Sequence, residues 1–456
     1  MDFPKLSAPI YDALVKYSES SHSSFHTPGH KSITGASDFF KIYPYDATEL
    51  SCTDELYSPE GCIYDAEIAA TELFGSYHTF LSAGGASQCV KAALAEFAGK
   101  KVLFDRNIHF SASSGIAFYG IDAIFVCGKT DSKTNLPSPP TVDDFRMAFY
   151  ANPDCSAVFL TSPNYFGVSA DCLAIRTFCD EVGITFIDDN SHGTHYAFCS
   201  EMKNSPFDGH HAHVVIDSAH KTLPVMTGGS FLHYNKKISL STVRRRMMAA
   251  GSTSPSFPIL ASLDYGRAIC AEYGTKVYSD MCASVLWLKN DLISHGFFLA
   301  KGENVDPLRL SVYFGDQCEK ILSLLESEHI YPEMTANGFL VFIITPFNES
   351  FQIHRLKEVL LTCEPVEYVE KFLEIFEMPK HKLSIRAAFF AEKELVLPLD
   401  SANRISAEMI AFHEPPCVPL VLPGEIISHK LSRMLHERNY GNVEVLSEKN
   451  DLFINK

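Results

Sequence analysis

Four short segments of this chain end in residues whose types fit one kind of chemistry. Lys221 follows the apolar run HVVIDS, in the order Asp217-Ser218-Ala219-His220-Lys221. Asp189 closes ITFIDD and leads into Asn190-Ser191-His192-Gly193-Thr194-His195. Ala83-Gly84-Gly85-Ala86-Ser87 precede an Ala-rich stretch, and His109 follows VLFD by way of Arg106-Asn107-Ile108. A lysine amine can form an imine with an aldehyde. A carboxylate can hold a pyridine nitrogen protonated, so that the ring draws electrons. Free N–H groups at a helix N-terminus suit a dianionic phosphate, and a flat side chain can stack on a ring. That set is the kit for pyridoxal 5′-phosphate. Taken singly, each residue has a plainer reading. Lys221 could be a solvated surface lysine, Asp189 a helix cap or turn residue, AGGAS a tight turn, and His109 a hydrogen-bonded, half-buried histidine. The conjunction at four strand ends favours the cofactor site.

The elements that must position these residues are legible as short apolar runs. YHTFLSA, VLFD (102–105), AIFVC (123–127), AVFLTS (157–162), ITFIDD (184–189) and HVVIDS (213–218) read as strands, most of them buried on both faces. Helices are expected at 66–75, 87–98 and 171–182, the first stopped by Gly75. Strand, helix, strand order implies crossover units and an open, mainly parallel α/β sheet, whose ligands sit at the carboxyl ends of the strands. A long apolar helix is expected over 259–295. Beyond it, strands at RLSVYF, FLVFIIT and LSIRAAFF and helices at 316–328 and 365–376 suggest a smaller C-terminal α+β domain. The expected division is an N-terminal arm (1–45) with one helix at 9–18, a large domain (46–295) and a small domain (296–456).

Composition narrows the class. The 456 residues are 46% hydrophobic and 20% charged, which excludes a disordered or fibrous chain. A net charge of -17 argues against general binding to nucleic acid or an anionic membrane. Thirteen cysteines without a CxxC pair read as reduced thiols. With no signal-like N-terminus and no apolar run of spanning length, a cytoplasmic protein is expected.

The segment DSAHKTLPVMTGGSFLH (217–233) resembles the lysine-anchoring segment of the Orn/Lys/Arg decarboxylases. HTPGHKSITG (26–35), YDATELSCTDELYSPEGCI (45–63), FLSAGGAS, DRNIHFSAS, SPNYFGVSAD, DDNSHGTHYAF, STSPSFPILASLDYGR (252–267), NRISAEMI and PLVLPGE follow in the family's order. The resemblance runs from about 26 to about 425 and is to the short form. It implies a large domain of the fold type I (aspartate aminotransferase) class, with a mainly parallel sheet, and pyridoxal 5′-phosphate as cofactor. Lys221 would be the imine lysine, Asp189 the partner of the pyridine nitrogen and His109 the stacking ring. Gly85, Ala86, Ser87, Ser218 and His220 would hold the phosphate, and His192 would lie beside the cofactor. A homodimer with shared active sites is implied, which higher assemblies could extend, with Ser252 and Thr253 reaching the partner's phosphate.

The chain departs from the family pattern at Gly85 and Ala86, where hydroxyl residues are usual, and at Phe110, Asn190 and Cys417. The expected reaction is decarboxylation of a basic amino acid, arginine or lysine ahead of ornithine, in polyamine or diamine metabolism. The proton would return to Cα from Lys221 or His220, and Glu408 or Glu60 would meet the substrate's distal cation. The alternatives are another fold type I reaction, such as an aminotransferase or lyase, or a non-catalytic member of the family. A metal site at HGTH (192–195) or at His210, His211 and His213 is a rival reading.

Overall fold

The computed structural model describes residues 6–20, 38–129, 136–199, 212–302, 304–336, 338–368, 378–411 and 419–447. HTPGHKSITG, His210, His211, Cys417 and most of the helix expected at 365–376 lie outside them.

Seven strands form the main sheet: β1 (His78–Ser82), β2 (Lys101–Asp105), β3 (Asp122–Val126), β4 (Ala157–Thr161), β5 (Thr185–Asp189), β6 (Val214–Asp217) and β7 (Ser230–Tyr234). Their order is β1-β7-β6-β5-β4-β2-β3. β6, β5, β4, β2 and β3 pair in parallel, and β7 runs antiparallel to both β6 and β1. Alternate side chains enter different cores, as the pleat requires. Phe80, Phe104, Phe159, Ile216 and Leu232 pack under α3 (Gly85–Leu94), α4 (Phe110–Tyr119) and α7 (Leu240–Ala250). Leu103, Val158, Phe186 and Val215 pack under α5 (Val142–Ala151) and α6 (Cys172–Val182). Leu81 and Phe231 share a core with α1 (Pro9–Glu19), α2 (Cys62–Phe74) and α8 (Phe257–Ser294). The 38 residues of α8 reach about 57 Å at helical rise. α1 is tied to α8 where Asp264 Oδ2 accepts the Ile10 N–H at 2.9 Å.

After α8 comes a three-stranded antiparallel sheet, β8 (Arg309–Tyr313), β10 (Phe339–Ile343) and β9 (Met334–Ala336), with α9 (Cys318–Ser327) and α10 (Ser350–Leu361). Leu310, Val312 and Leu340 join the α8 core. Residues 378–411 and 419–447 build a further unit around the antiparallel pair β11 (Lys393–Val396) and β12 (Val443–Leu446), with α11 (Ile385–Phe390) and α12 (His429–Glu437). Ile410, Val421, Leu431, Leu435 and Val445 form its own core.

One expected element is corrected: LSIRAAFF is not a strand, because its last six residues form α11. Ser384 caps that helix by accepting the Ala387 N–H at 3.2 Å, and the buried residues Ile385 and Ala388 are three apart, a helical spacing. No helix of the described residues is long and apolar enough to cross a membrane.

Candidate active site

β6 delivers Lys221. The strand ends at Asp217, and a 3-10 turn over Ala219–Lys221 follows, closed by the Lys221 N–H on Ser218 O at 3.0 Å. The turn sends the Lys221 Nζ to within 2.9 Å of His192 Nε2, on the loop after β5. Tyr165, between β4 and α6, stacks obliquely on His192 with ring centroids 4.3 Å apart, and its ring lies 5.5 Å from Lys221 Nζ. Burial pushes the His192 pKa well below the imidazole range, and the charge of Lys221 pushes it further down. A neutral His192 accepts from the Lys221 ammonium through Nε2, which puts the ring proton on Nδ1. Nδ1 is buried without a hydrogen-bond partner among the described residues.

Asp189 ends β5 at 2% exposure, with Oδ1 accepting from Ser191 Oγ at 2.5 Å and from the Ser191 N–H at 3.3 Å. His109 is the N-cap of α4. Its Nδ1 accepts the Ser111 N–H at 3.1 Å and lies 2.8 Å from Ser111 Oγ, and the ring remains exposed. Desolvation by the surrounding protein lowers the His109 pKa, Asp189 works against that, and Lys221 adds to it. The three groups therefore sense one another's charge. Tyr165 belongs to the SPNYFG segment, where no chemical feature of the sequence singles it out.

The small-residue loop reaches the same place from β1. Gly85 adopts φ +71°, and a Cβ there would meet nothing within 4 Å. Its N–H donates to Gly228 O at 2.8 Å, and the Gly228 N lies 3.4 Å from His220 Nδ1. His220 Nδ1 also lies 3.4 Å from Ser218 Oγ, and burial lowers its pKa. Gly84 caps α3 without a side chain, and with the Gly85 N–H taken by Gly228 O, the Ala86 and Ser87 N–H groups of the first turn are left with no side-chain cap beside the open space at Gly85. A phosphate fits that opening, backbone amides standing in for the missing hydroxyls at 85 and 86. An amine at 221, an acid at 189 and an exposed imidazole at 109 fit the rest of pyridoxal 5′-phosphate.

Not every expected residue joins this cluster. Ser252 and Thr253 are exposed; Ser252 O accepts from the Tyr57 hydroxyl at 2.8 Å, which in turn accepts from Gln88 Nε2 of α3 at 3.0 Å. Glu408 accepts the Glu444 N–H at 2.9 Å within the β12 unit, and Glu60 is exposed with its N–H on Asp54 Oδ1 at 3.0 Å. Phe110 is 54% exposed. Asn190 donates to Asp217 Oδ1 at 2.6 Å, and Asp217 Oδ2 holds His233 at 3.1 Å. Asn190 thus supplies a donor where a carboxylate would meet another carboxylate.

The HGTH histidines part company. His195 pairs with Asp306 at 3.1 Å, not with the His192 cluster. Although burial opposes it, His195 and then Arg309 hold Asp306 down to about 2. His213 bonds Asp180 at 2.9 Å. Among the described residues no group of three or more His, Cys, Asp or Glu side chains is placed to hold a metal.

The fold is that of the fold type I class, an α/β architecture around a mostly parallel sheet. A solved lysine decarboxylase of Francisella novicida superposes with a TM-score of 0.82 at 18% identity, over 97% of this chain and 82% of that one. Within the class, residues 8–346 match the family described as Orn/Lys/Arg decarboxylase, major domain, and the chain belongs to that family. Its relatives include an arginine decarboxylase of Bacillus subtilis, 27% identical over 92% of this chain and 91% of that one. An uncharacterised Bacillus subtilis protein, YaaO, is 28% identical over 96% of this chain and 97% of its own.

Proposed function

We propose that the protein decarboxylates a basic amino acid, arginine first, lysine next and ornithine last, with pyridoxal 5′-phosphate held on Lys221. The observation that carries this reading is the Lys221 amine set 2.9 Å from a buried, neutral His192, with Asp189 and His109 in electrostatic reach. The bound cofactor supplies an electron sink for the pair left behind when the Cα–carboxylate bond breaks. Lys221 would hold its aldehyde carbon, Asp189 its ring nitrogen and His109 its ring face. The first turn of α3, Ser218 and His220 would hold the phosphate, with Ser252 and Thr253 serving a partner's site in a homodimer.

The chain's own residues then move the proton. Lys221 Nζ and His192 Nε2 form a short donor–acceptor pair, through which a proton can be stored and returned to Cα. His220 is the weaker candidate for that task, because its Nδ1 is occupied by the Gly228–Gly229 backbone and Ser218. Tyr165 packs obliquely against His192, with ring centroids 4.3 Å apart.

The arginine preference rests on the named relatives, and a cytoplasmic setting rests on the free thiols of the described cysteines. The product would be a diamine or polyamine precursor. We also propose the division into an arm (1–45), a large domain (46–295) and a C-terminal part (296–456). The test supplies cofactor with arginine, lysine or ornithine and measures carbon dioxide and amine. Release from arginine is the expected result. A protein that binds cofactor but releases carbon dioxide from none of them runs a different type I reaction.

A further inference from the structure

The loop that carries His109 is gripped by a unit far away in sequence. Arg106 is 2% exposed and stands three residues before His109. Its guanidinium forks onto both oxygens of Glu425, Nη1 to Oε1 at 2.5 Å and Nη2 to Oε2 at 2.8 Å. Nε donates to Pro419 O at 3.2 Å, and Nη2 also to Leu420 O at 3.4 Å. Glu425 is fully buried, accepts the Leu422 N–H at 2.7 Å and meets His381 Nε2 at 3.2 Å. Arg106 passes the constraint on directly, because its carbonyl accepts the Ile108 N–H at 3.0 Å, one residue before His109.

The same unit holds the other end of the helix that His109 caps. Arg386 of α11 donates to Phe118 O at 2.7 Å and to Ala117 O at 3.0 Å, both near the carboxyl end of α4. α4 is therefore fixed before its first turn by Glu425 and in its last turn by Arg386.

We propose that Glu425 is a positioning residue for the cofactor site, setting the place of His109 through Arg106, with Arg386 as the second point of the clamp. A buried Arg–carboxylate pair adds little net stability over apolar side chains of the same size. What its planar fork does supply is a single geometry. Ring-stacking and cofactor affinity depend on that kind of placement, just as a metal site's affinity depends on the partners that orient its ligands.

This inference rests on His109 facing the cofactor ring, as read above. Its test titrates cofactor-stripped full-length protein with pyridoxal 5′-phosphate, following the visible absorbance and circular dichroism of the bound ring. Glu425→Gln should weaken binding about tenfold and alter the dichroism. In a His109→Ala background the same change should have little further effect, since the two act through one contact. Equal weakening in both backgrounds, or no weakening at all, overturns the proposal. If Glu425→Gln does not fold, Arg106→Lys keeps the charge, removes the fork and is held to the same criteria. A wild-type protein that takes up no cofactor overturns the functional reading and this inference together. A wild type that binds while Glu425→Gln binds equally well overturns the inference alone.

Discussion

Lys221 Nζ and His192 Nε2 lie 2.9 Å apart, although one side chain comes from the turn after β6 and the other from the loop after β5. β5 and β6 pair in parallel, Asp189 opposite Ile216, so their carboxyl ends project the two loops side by side. Burial keeps His192 neutral. The pair can therefore share a proton without placing two cations in contact.

That arrangement predicts a distinct role for His192. Replacing it with Gln keeps a hydrogen-bond acceptor near Lys221 but removes proton transfer. Under the proposed reaction, His192→Gln should lower kcat about a hundredfold. Cofactor binding, read by the visible absorbance, should change little. A kcat within a factor of three of wild type would assign the proton to another group.

Asp189→Asn separates charge from shape. Asn Oδ1 can still accept from Ser191 Oγ, so the loop after β5 should keep its form. Without the negative charge, a pyridine nitrogen beside it is no longer held protonated. Turnover should fall by about 10²–10³, while thermal unfolding shifts by only a few degrees. Near-normal turnover would remove Asp189 from the nitrogen's side.

Much of this site was legible because it is assembled from strand ends. A buried parallel strand announces itself as a short apolar run, and the residue that follows it must lie at one edge of the sheet. Lys221, Asp189, His109 and the Gly84–Gly85 loop are the residues that such a reading singles out. The Arg106–Glu425 pair is not among them, because 319 residues separate partners that nothing local links. Tyr165 was missed for a related reason: an aromatic residue in a loop has no periodicity to report which ring it will meet. LSIRAAFF misled because its β-branched and aromatic residues suit a strand, and the Ser384 cap overrides them.

Asp105 carries a prediction about pH and stability. It ends β2, its Oδ2 is buried without a partner among the described residues, and burial raises its pKa to about 7 despite N–H donors from Asn107 and Thr161. The folded protein therefore holds a proton there that the unfolded chain releases near pH 4. Between those values stability falls as pH rises, and the full cost is present above about pH 7. Asp105→Asn should remove that cost. Urea unfolding should show a gain of roughly 4 kcal/mol at pH 8, shrinking toward zero near pH 4. A gain independent of pH would mean that the carboxyl is not the source.

Asn190 gives the reverse experiment. Its amide donates to Asp217 Oδ1 at 2.6 Å in a fully buried layer, where Asp188 and Asp189 stand on the neighbouring strand. Asn190→Asp replaces a donor with a second acceptor of nearly the same shape. Two carboxylates would then face each other, and one would have to take a proton or lose its hydrogen bond. At neutral pH the change should cost about 2–3 kcal/mol in urea unfolding, the penalty for a buried polar group left unpaired. The loss should be smaller at pH 5, where protonating one carboxyl restores a donor, because the raised pKa of the new pair makes stability fall as pH rises. An Asn190→Asp protein as stable as wild type at pH 7.5 would show that Asp217 is satisfied by His233 alone, and that the amide at 190 is incidental to the layer.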